Sequence, residues 1–393
     1  MNNFHNTRLV SLMLAIGFFF ACSSSKPSID SLVAQNQYDV ALTQIDEQLA
    51  ENPNQSDLLI KKGEINTLIA EASEPRERSG YYSEAINSFN LAIETGVDSS
   101  QLSGINSLRT KLWSEEHNAG TAAFSDEETT EDFSLAEAHF SNAILLKPQE
   151  TSSHLSLATA QFSTGDVEGA ISTLNIAKNT VDPVPLKIYE NLGFLYLQHG
   201  EPDQSVFYYE LANTDITKSK NIAFGLVNAY ISTGNTEKAV DLLSELIKNH
   251  PNDAVLRNVY GTQLYRVTEN IMDDLTQAYI ERDSSLVSQI RFEAEGVGEQ
   301  AEKELIQAYS RDTTNTDYIE SLAVFYNNLT GKYLGVYEVA FQNDKEPLLI
   351  KAGTLLDFAI EYYDKLLGIS PQNEDIESTL QSLSALKESR FSY

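Results

Sequence analysis

Between residues 151 and 251 small and apolar positions recur in register. Leu157 and Ala158 are followed by Gly165, Ala170, Leu174 and Ala177; Leu192 and Gly193 by Tyr196, Gly200, Ser205, Tyr209 and Ala212; Leu226 and Tyr230 by Gly234, Ala239, Leu243, Leu246 and Pro251. Ala170, Ser205 and Ala239 stand 35 and 34 residues apart. Within one copy, Ala239, Leu243 and Leu246 are spaced by four and three, one face of a helix, and Leu226 and Tyr230 lie one turn apart on another. The pattern therefore predicts pairs of antiparallel helices. Gly165, Gly200 and Gly234 fall where the first helix of each pair must stop and reverse, a place that favours positive φ. Small residues at Ala170, Ser205 and Ala239 let the paired backbones approach, and Pro251 ends a second helix.

Weaker copies extend the pattern both ways. Ala41, Ile45 and Pro53 mark a second helix near the start, and Ala85, Phe89 and Ala92 another, after an insertion around Pro75 and Gly80. Ala136, Phe140, Ala143 and Pro148 mark a third, preceded by Trp113 and Gly120 on a first helix; residues 125–132 form an acidic, exposed loop between them. Beyond Pro251 the next second-helix alanines are Ala301 and Ala359, the latter with Tyr363, Leu366 and Pro371. The intervals of 62 residues from Ala239 to Ala301 and 58 from Ala301 to Ala359 exceed one period and fall short of two. They imply lengthened helices or inserted segments, including an apolar insertion at 329–353 carrying Tyr333, Val336, Tyr337, Val339 and Phe341. Residues 374–386 read as an amphipathic helix capping the last apolar face.

The period and the residue types at these positions resemble the tetratricopeptide repeat, whose period is about 34 residues. The resemblance is specific over residues 149–253, a regular array, and looser over 31–148 and 254–393. It implies an all-α solenoid of antiparallel helix hairpins, irregular at its two ends, that binds other proteins or peptides along the face lined by its first helices. Carried onto this chain, that face holds Phe162 with Leu155 and Thr159, then Glu190, Phe194 and Leu197, then Phe224, Asn228 and Ile231, then Tyr265 with Asn258 and Thr262. Spacing alone leaves two readings open for Phe162, Leu197 and Ile231: packing between neighbouring hairpins, or contact with a partner.

The N-terminus changes the context. Arg8 precedes an apolar run over residues 9–21, broken only by Ser11, and a small residue, Ala21, precedes Cys22. A helix of that run would be about 20 Å long, short of a hydrocarbon core of about 30 Å, so residues 1–21 read as a signal peptide rather than a membrane span. Phe19-Phe20-Ala21-Cys22 followed by Ser23-Ser24-Ser25 resembles the lipobox of bacterial lipoproteins, with Phe19 in place of the family's usual leucine. The resemblance implies an acylated Cys22, a flexible tether over residues 22–30, and attachment to the cell envelope, at the periplasmic side of the outer membrane. Cys22 is the single cysteine, which excludes an intramolecular disulfide and a zinc site of several thiolates.

A formal net charge of −30 repels nucleic-acid backbones and anionic headgroups, so membrane attachment rests on the lipid and nucleic-acid binding is not expected. The acidity suits either a basic partner or a saline habitat. Chemistry is sparse. His5, His117, His139, His154, His199 and His250 form no HExxH pair, and no phosphate loop or GxSxG elbow is present. Gly296-Val297-Gly298-Glu299 lacks the third glycine of a dinucleotide fingerprint and reads as a helix break, while Glu127-Glu128 and Asp273-Asp274 read as solvated charges. The expectation is a scaffold without cofactor, metal or catalytic site. The alternatives are a substrate-binding lipoprotein of a nutrient-uptake system and a helical-repeat enzyme.

Overall fold

A computed structural model describes residues 26–125, 130–212 and 220–391. The proposed signal peptide, Cys22 and the centre of the acidic loop lie outside these residues. Among the described residues there are seventeen α-helices, one 3-10 turn and no strand. The described residues form two compact units, one made by those up to 123 with 138–147 and one by those of 124–137 with those from 148 on. This division falls inside the segment 31–148 that the spacing treats as one stretch.

In the first unit α1 (Ile29–Ala34) begins inside the expected tether, because Ser28 caps it by accepting from the Ser31 N–H at 3.2 Å. Next come α2 (Tyr38–Glu51), α3 (Ser56–Ala72), α4 (Arg78–Thr95), α5 (Ser99–Ser125) and α6 (Thr130–Leu146), the last of which belongs to this unit from residue 138 on. The expected second-helix residues Ala41 and Ile45, then Ala85, Phe89 and Ala92, are all buried. The region around Pro75 is a 3-10 turn, Pro75–Glu77, leading straight into α4; Gly80, expected in that insertion, lies within α4 itself.

The second unit opens with six short helices, 11 to 14 residues each. They are α7 (Thr151–Ser163), α8 (Val167–Thr180), α9 (Leu186–Gln198), α10 (Pro202–Ala212), α11 (Lys220–Ser232) and α12 (Thr236–Asn249). Their turns are chemically alike. Gly165, Gly200 and Gly234 have φ of 87°, 83° and 75°. In each, the glycine N–H donates to the carbonyl three residues back and the next N–H to the carbonyl five back, as Gly234 to Ile231 at 3.1 Å and Asn235 to Tyr230 at 2.8 Å. That pair of bonds satisfies the last carbonyls of the first helix, and only glycine adopts the required φ cheaply. Ala170, Ser205 and Ala239 are fully buried where the paired helices cross, and Ser205 replaces bulk with a bond, its Oγ donating to the Gly193 carbonyl at 2.7 Å.

From Ala254 the helices lengthen to between 24 and 28 residues: α13 (Ala254–Glu281), α14 (Ser284–Tyr309), α15 (Thr316–Val339) and α16 (Gln342–Ile369), closed by α17 (Glu374–Phe391). This accounts for the wide intervals, since Ala301 and Ala359 are both fully buried at crossings of long helices. Two expectations are corrected. The segment 329–353 is no insertion but the end of α15, a short turn and the start of α16, with Tyr333 and Val336 in the core. Gly296 to Glu299 is no helix break: α14 runs through it, and Gly298 faces Thr268, where an added Cβ would meet the threonine methyl at 3.4 Å.

Candidate functional site

Four first helices, α7, α9, α11 and α13, carry the expected partner face. Phe162, in the last turn of α7, meets Phe194 of α9 edge to face with ring centroids 5.2 Å apart. Phe162 is half-buried, whereas Phe194 is 38% exposed, large for a phenylalanine in a packed array. Leu197, Phe224 and Ile231 are half-buried against the core of the second unit, so most of their apolar surface is already spent on packing between hairpins. Packing between hairpins thus takes up much of Phe162, Leu197 and Ile231, while Phe194 keeps the larger exposure.

The polar residues divide similarly. Asn228 is exposed on α11. Glu190 is half-buried and accepts from Lys187 Nζ at 2.9 Å. Burial, and then the Glu190 charge, push the Tyr209 hydroxyl up to about 12. Tyr265 does not join the open face: it is 6% exposed, its ring lies edge-on to Phe325 at 5.6 Å, and its hydroxyl accepts from Asn328 Nδ2 at 2.7 Å. The cause is the length of α13, which brings α15 across the turn that carries Tyr265.

Further polar groups stand at this end of the face. Asn258 on α13 has a buried side-chain oxygen with no partner among the described residues. Lys220, opening α11, pairs with Asp253 and lies 5.8 Å from the Phe224 ring centre. Burial opposes ionisation of Asp253, yet Lys220 and the Leu256 N–H that it caps hold its carboxyl below the usual range. Asp253 was findable as an N-cap before Ala254; Lys220, 33 residues away, was not. Among the described residues no group of three or more acidic, histidine or cysteine side chains is arranged to hold a metal ion, and no helix is long and apolar enough to cross a membrane.

Residues 193–261 match one tetratricopeptide repeat family and residues 121–185 a second. No curated protein matches the sequence. Among solved structures the chain is similar to Pseudomonas aeruginosa pilF, at 10% identity and a TM-score of 0.44, over 70% of this chain and 99% of that one. It is similar to PilW, a type IV pilus biogenesis factor, at 15% identity and 0.44, over 68% and 98%. The C-terminal part of a tetratricopeptide repeat-containing protein from Cytophaga hutchinsonii is similar at 13% identity and 0.38, over 90% and 98%. The chain is an all-α tetratricopeptide solenoid.

Proposed function

We propose that this repeat protein is an envelope lipoprotein, held at a membrane by an acylated Cys22, that grips an extended segment of another protein along α7, α9 and α11. The observation that carries the reading is the Phe162–Phe194 pair, an aromatic contact between adjacent first helices that leaves Phe194 38% exposed. Aromatic anchors of this kind dominate interface energies once a partner excludes water from them. Exposed Asn228 offers hydrogen bonds to a peptide backbone, and the net charge of −30 favours a segment with basic flanks. The tetratricopeptide fold is a scaffold fold, and the proposal contains no catalytic step.

Crosslinking pull-downs from native membranes compare the wild type with Phe194→Glu. Because Phe194 is partly exposed, the variant should stay folded by circular dichroism, with a small loss of melting temperature from the Phe162 contact, and lose its captured partner. Undiminished capture of every partner would remove the groove. The anchor is tested apart from it: Cys22→Ala should leave the protein in the soluble fraction or as an unprocessed precursor, and unchanged membrane fractionation with unchanged lipid labelling would sink that half.

A further inference from the structure

The four long helices α13 to α16 enclose a cavity of about 140 Å³, wholly within the second unit. Its floor is apolar and buried: Ala294 and Gly298 from α14, Phe325 and Leu329 from α15, Leu348 and Leu355 from α16. An apolar cavity of about 150 Å³ in a protein interior accepts a molecule the size of benzene. The floor therefore suits one branched or aromatic side chain.

The walls are polar and carry unspent hydrogen-bonding capacity. Arg291, Glu295, Glu299 and Glu302 follow one another at successive turns of α14. Arg291 Nη2 is committed to Asp344 at 3.0 Å and to the Tyr279 hydroxyl, but its Nε–H is buried with no partner. Glu302 accepts from the Tyr326 hydroxyl at 2.7 Å, whereas Glu295 and Glu299 stand exposed without an ion pair among the described residues. Lys351 of α16, also exposed and unpaired among them, faces the same space. Tyr333 is 7% exposed, lines the cavity, and has no hydrogen-bond partner among the described residues. A buried donor left unpaired costs about 1–3 kcal/mol, so the Arg291 Nε–H, at the same cavity as the unbonded Tyr333 hydroxyl, points to an absent acceptor.

We propose that this cavity binds a free α-amino acid with an apolar side chain, its ammonium against Glu295 and Glu299 and its carboxylate against Lys351 and the Arg291 Nε–H. A simple amine would leave the Arg291 and Tyr333 donors unanswered; a simple carboxylate would meet the acidic wall. A zwitterion satisfies both signs within one small head group at the mouth. The site does not depend on the α7–α11 groove, and either can fail alone.

Titration calorimetry on the protein with L-leucine and L-phenylalanine should show saturable binding. Phenethylamine, which lacks the carboxylate, and N-acetyl-L-phenylalanine, which lacks the ammonium, should each bind at least tenfold more weakly than L-phenylalanine. Glu295→Gln with Glu299→Gln, and separately Lys351→Gln, should weaken the amino acid at least tenfold; these side chains are exposed, so unchanged circular dichroism serves as the folding control. Tyr333→Phe should weaken it less, with packing kept. Absence of any saturable heat or thermal shift with millimolar L-leucine and L-phenylalanine would overturn the proposal. So would one of the two analogues binding as tightly as L-phenylalanine, or variants that bind like the wild type.

Discussion

At the scale of single residues, glycines of two kinds separate cleanly. A Cβ placed on Gly193 would lie 2.8 Å from the Tyr209 ring, and one on Gly120 2.8 Å from the Phe140 ring; Gly63 is similarly pressed by Phe89. Each pairs a glycine on a first helix with an aromatic ring from its second helix. Gly104, within α5, has nothing within 4 Å. Alanine in a helix interior is favoured over glycine by about 1 kcal/mol, while overpacking a close crossing costs about 1–3 kcal/mol. Gly104→Ala should therefore raise the melting temperature and Gly193→Ala lower it, the ring body of Tyr209 having no flexible end to swing aside. Two shifts of the same sign in thermal unfolding would contradict the assignment. Phe224 belongs to the same scale. Half-buried against the core, it should lose about 1–3 kcal/mol on Phe224→Ala, less than the 3–5 of a fully buried phenylalanine. Urea unfolding measures this directly, and a loss below about 0.5 kcal/mol would return Phe224 to the partner face.

At the scale of helices, α4, α5 and α6 are tied by one buried carboxylate. Glu116, 2% exposed, accepts from Arg78 Nη1 at 2.9 Å and the Tyr82 hydroxyl at 2.8 Å on one oxygen. On the other it meets His139 Nδ1 at 2.7 Å and Asn142 Nδ2 at 3.3 Å. Burial works against its charge, but the bonds from His139, Arg78 and Tyr82 prevail and hold its carboxyl below the ordinary value of 4.5. A lowered carboxyl contributes stability that is present above the unfolded-state value and lost as pH falls through the folded one. Glu116→Gln should cost about 1–3 kcal/mol at neutral pH, because buried Glu116 loses the charge that His139 and half-buried Arg78 bond to. The gap to the wild type should begin to narrow as pH falls below the ordinary carboxyl range and go on narrowing toward the lowered folded value, because the protonated wild type increasingly resembles the variant. Denaturant titrations at pH 7 and pH 3.5 check this, and a gap independent of pH would assign the cost to packing. This network was not legible in the sequence, where Glu116 reads as one more surface acid and its partners lie 23 to 38 residues away. The turns at Gly165, Gly200 and Gly234 were legible because their requirement is local to the backbone. Phe162 and Phe194 were legible because the repeat fixes their relative position. The long helices were not, since lengthening both members of a hairpin erases the period while preserving the small residues Ala301 and Ala359; Tyr265 and the cavity were hidden by the same change.

At the scale of the whole chain, charge dominates. With 57 acidic against 27 basic side chains, every lysine and arginine could be paired and 30 carboxylates would still lack an opposite charge. The ion pairs that form are mostly exposed, as Lys26 with Glu47 and Lys387 with Asp357, and such pairs contribute about 0–1 kcal/mol each. Self-repulsion among the surplus carboxylates is felt over the Debye length, about 30 Å at 0.01 M salt and about 8 Å at 0.15 M. Folding concentrates these charges, so the folded state carries more of the repulsion than the expanded chain and gains more from screening. The melting temperature should therefore rise between 0.01 and 0.15 M sodium chloride, most of the gain coming below 0.1 M, and it should rise equally with potassium chloride because screening depends on ionic strength alone. Scanning calorimetry across both salt series tests this. A melting temperature that falls with salt would mean that the ion pairs outweigh the repulsion, and the surplus acidity would then have no part in the chain's stability.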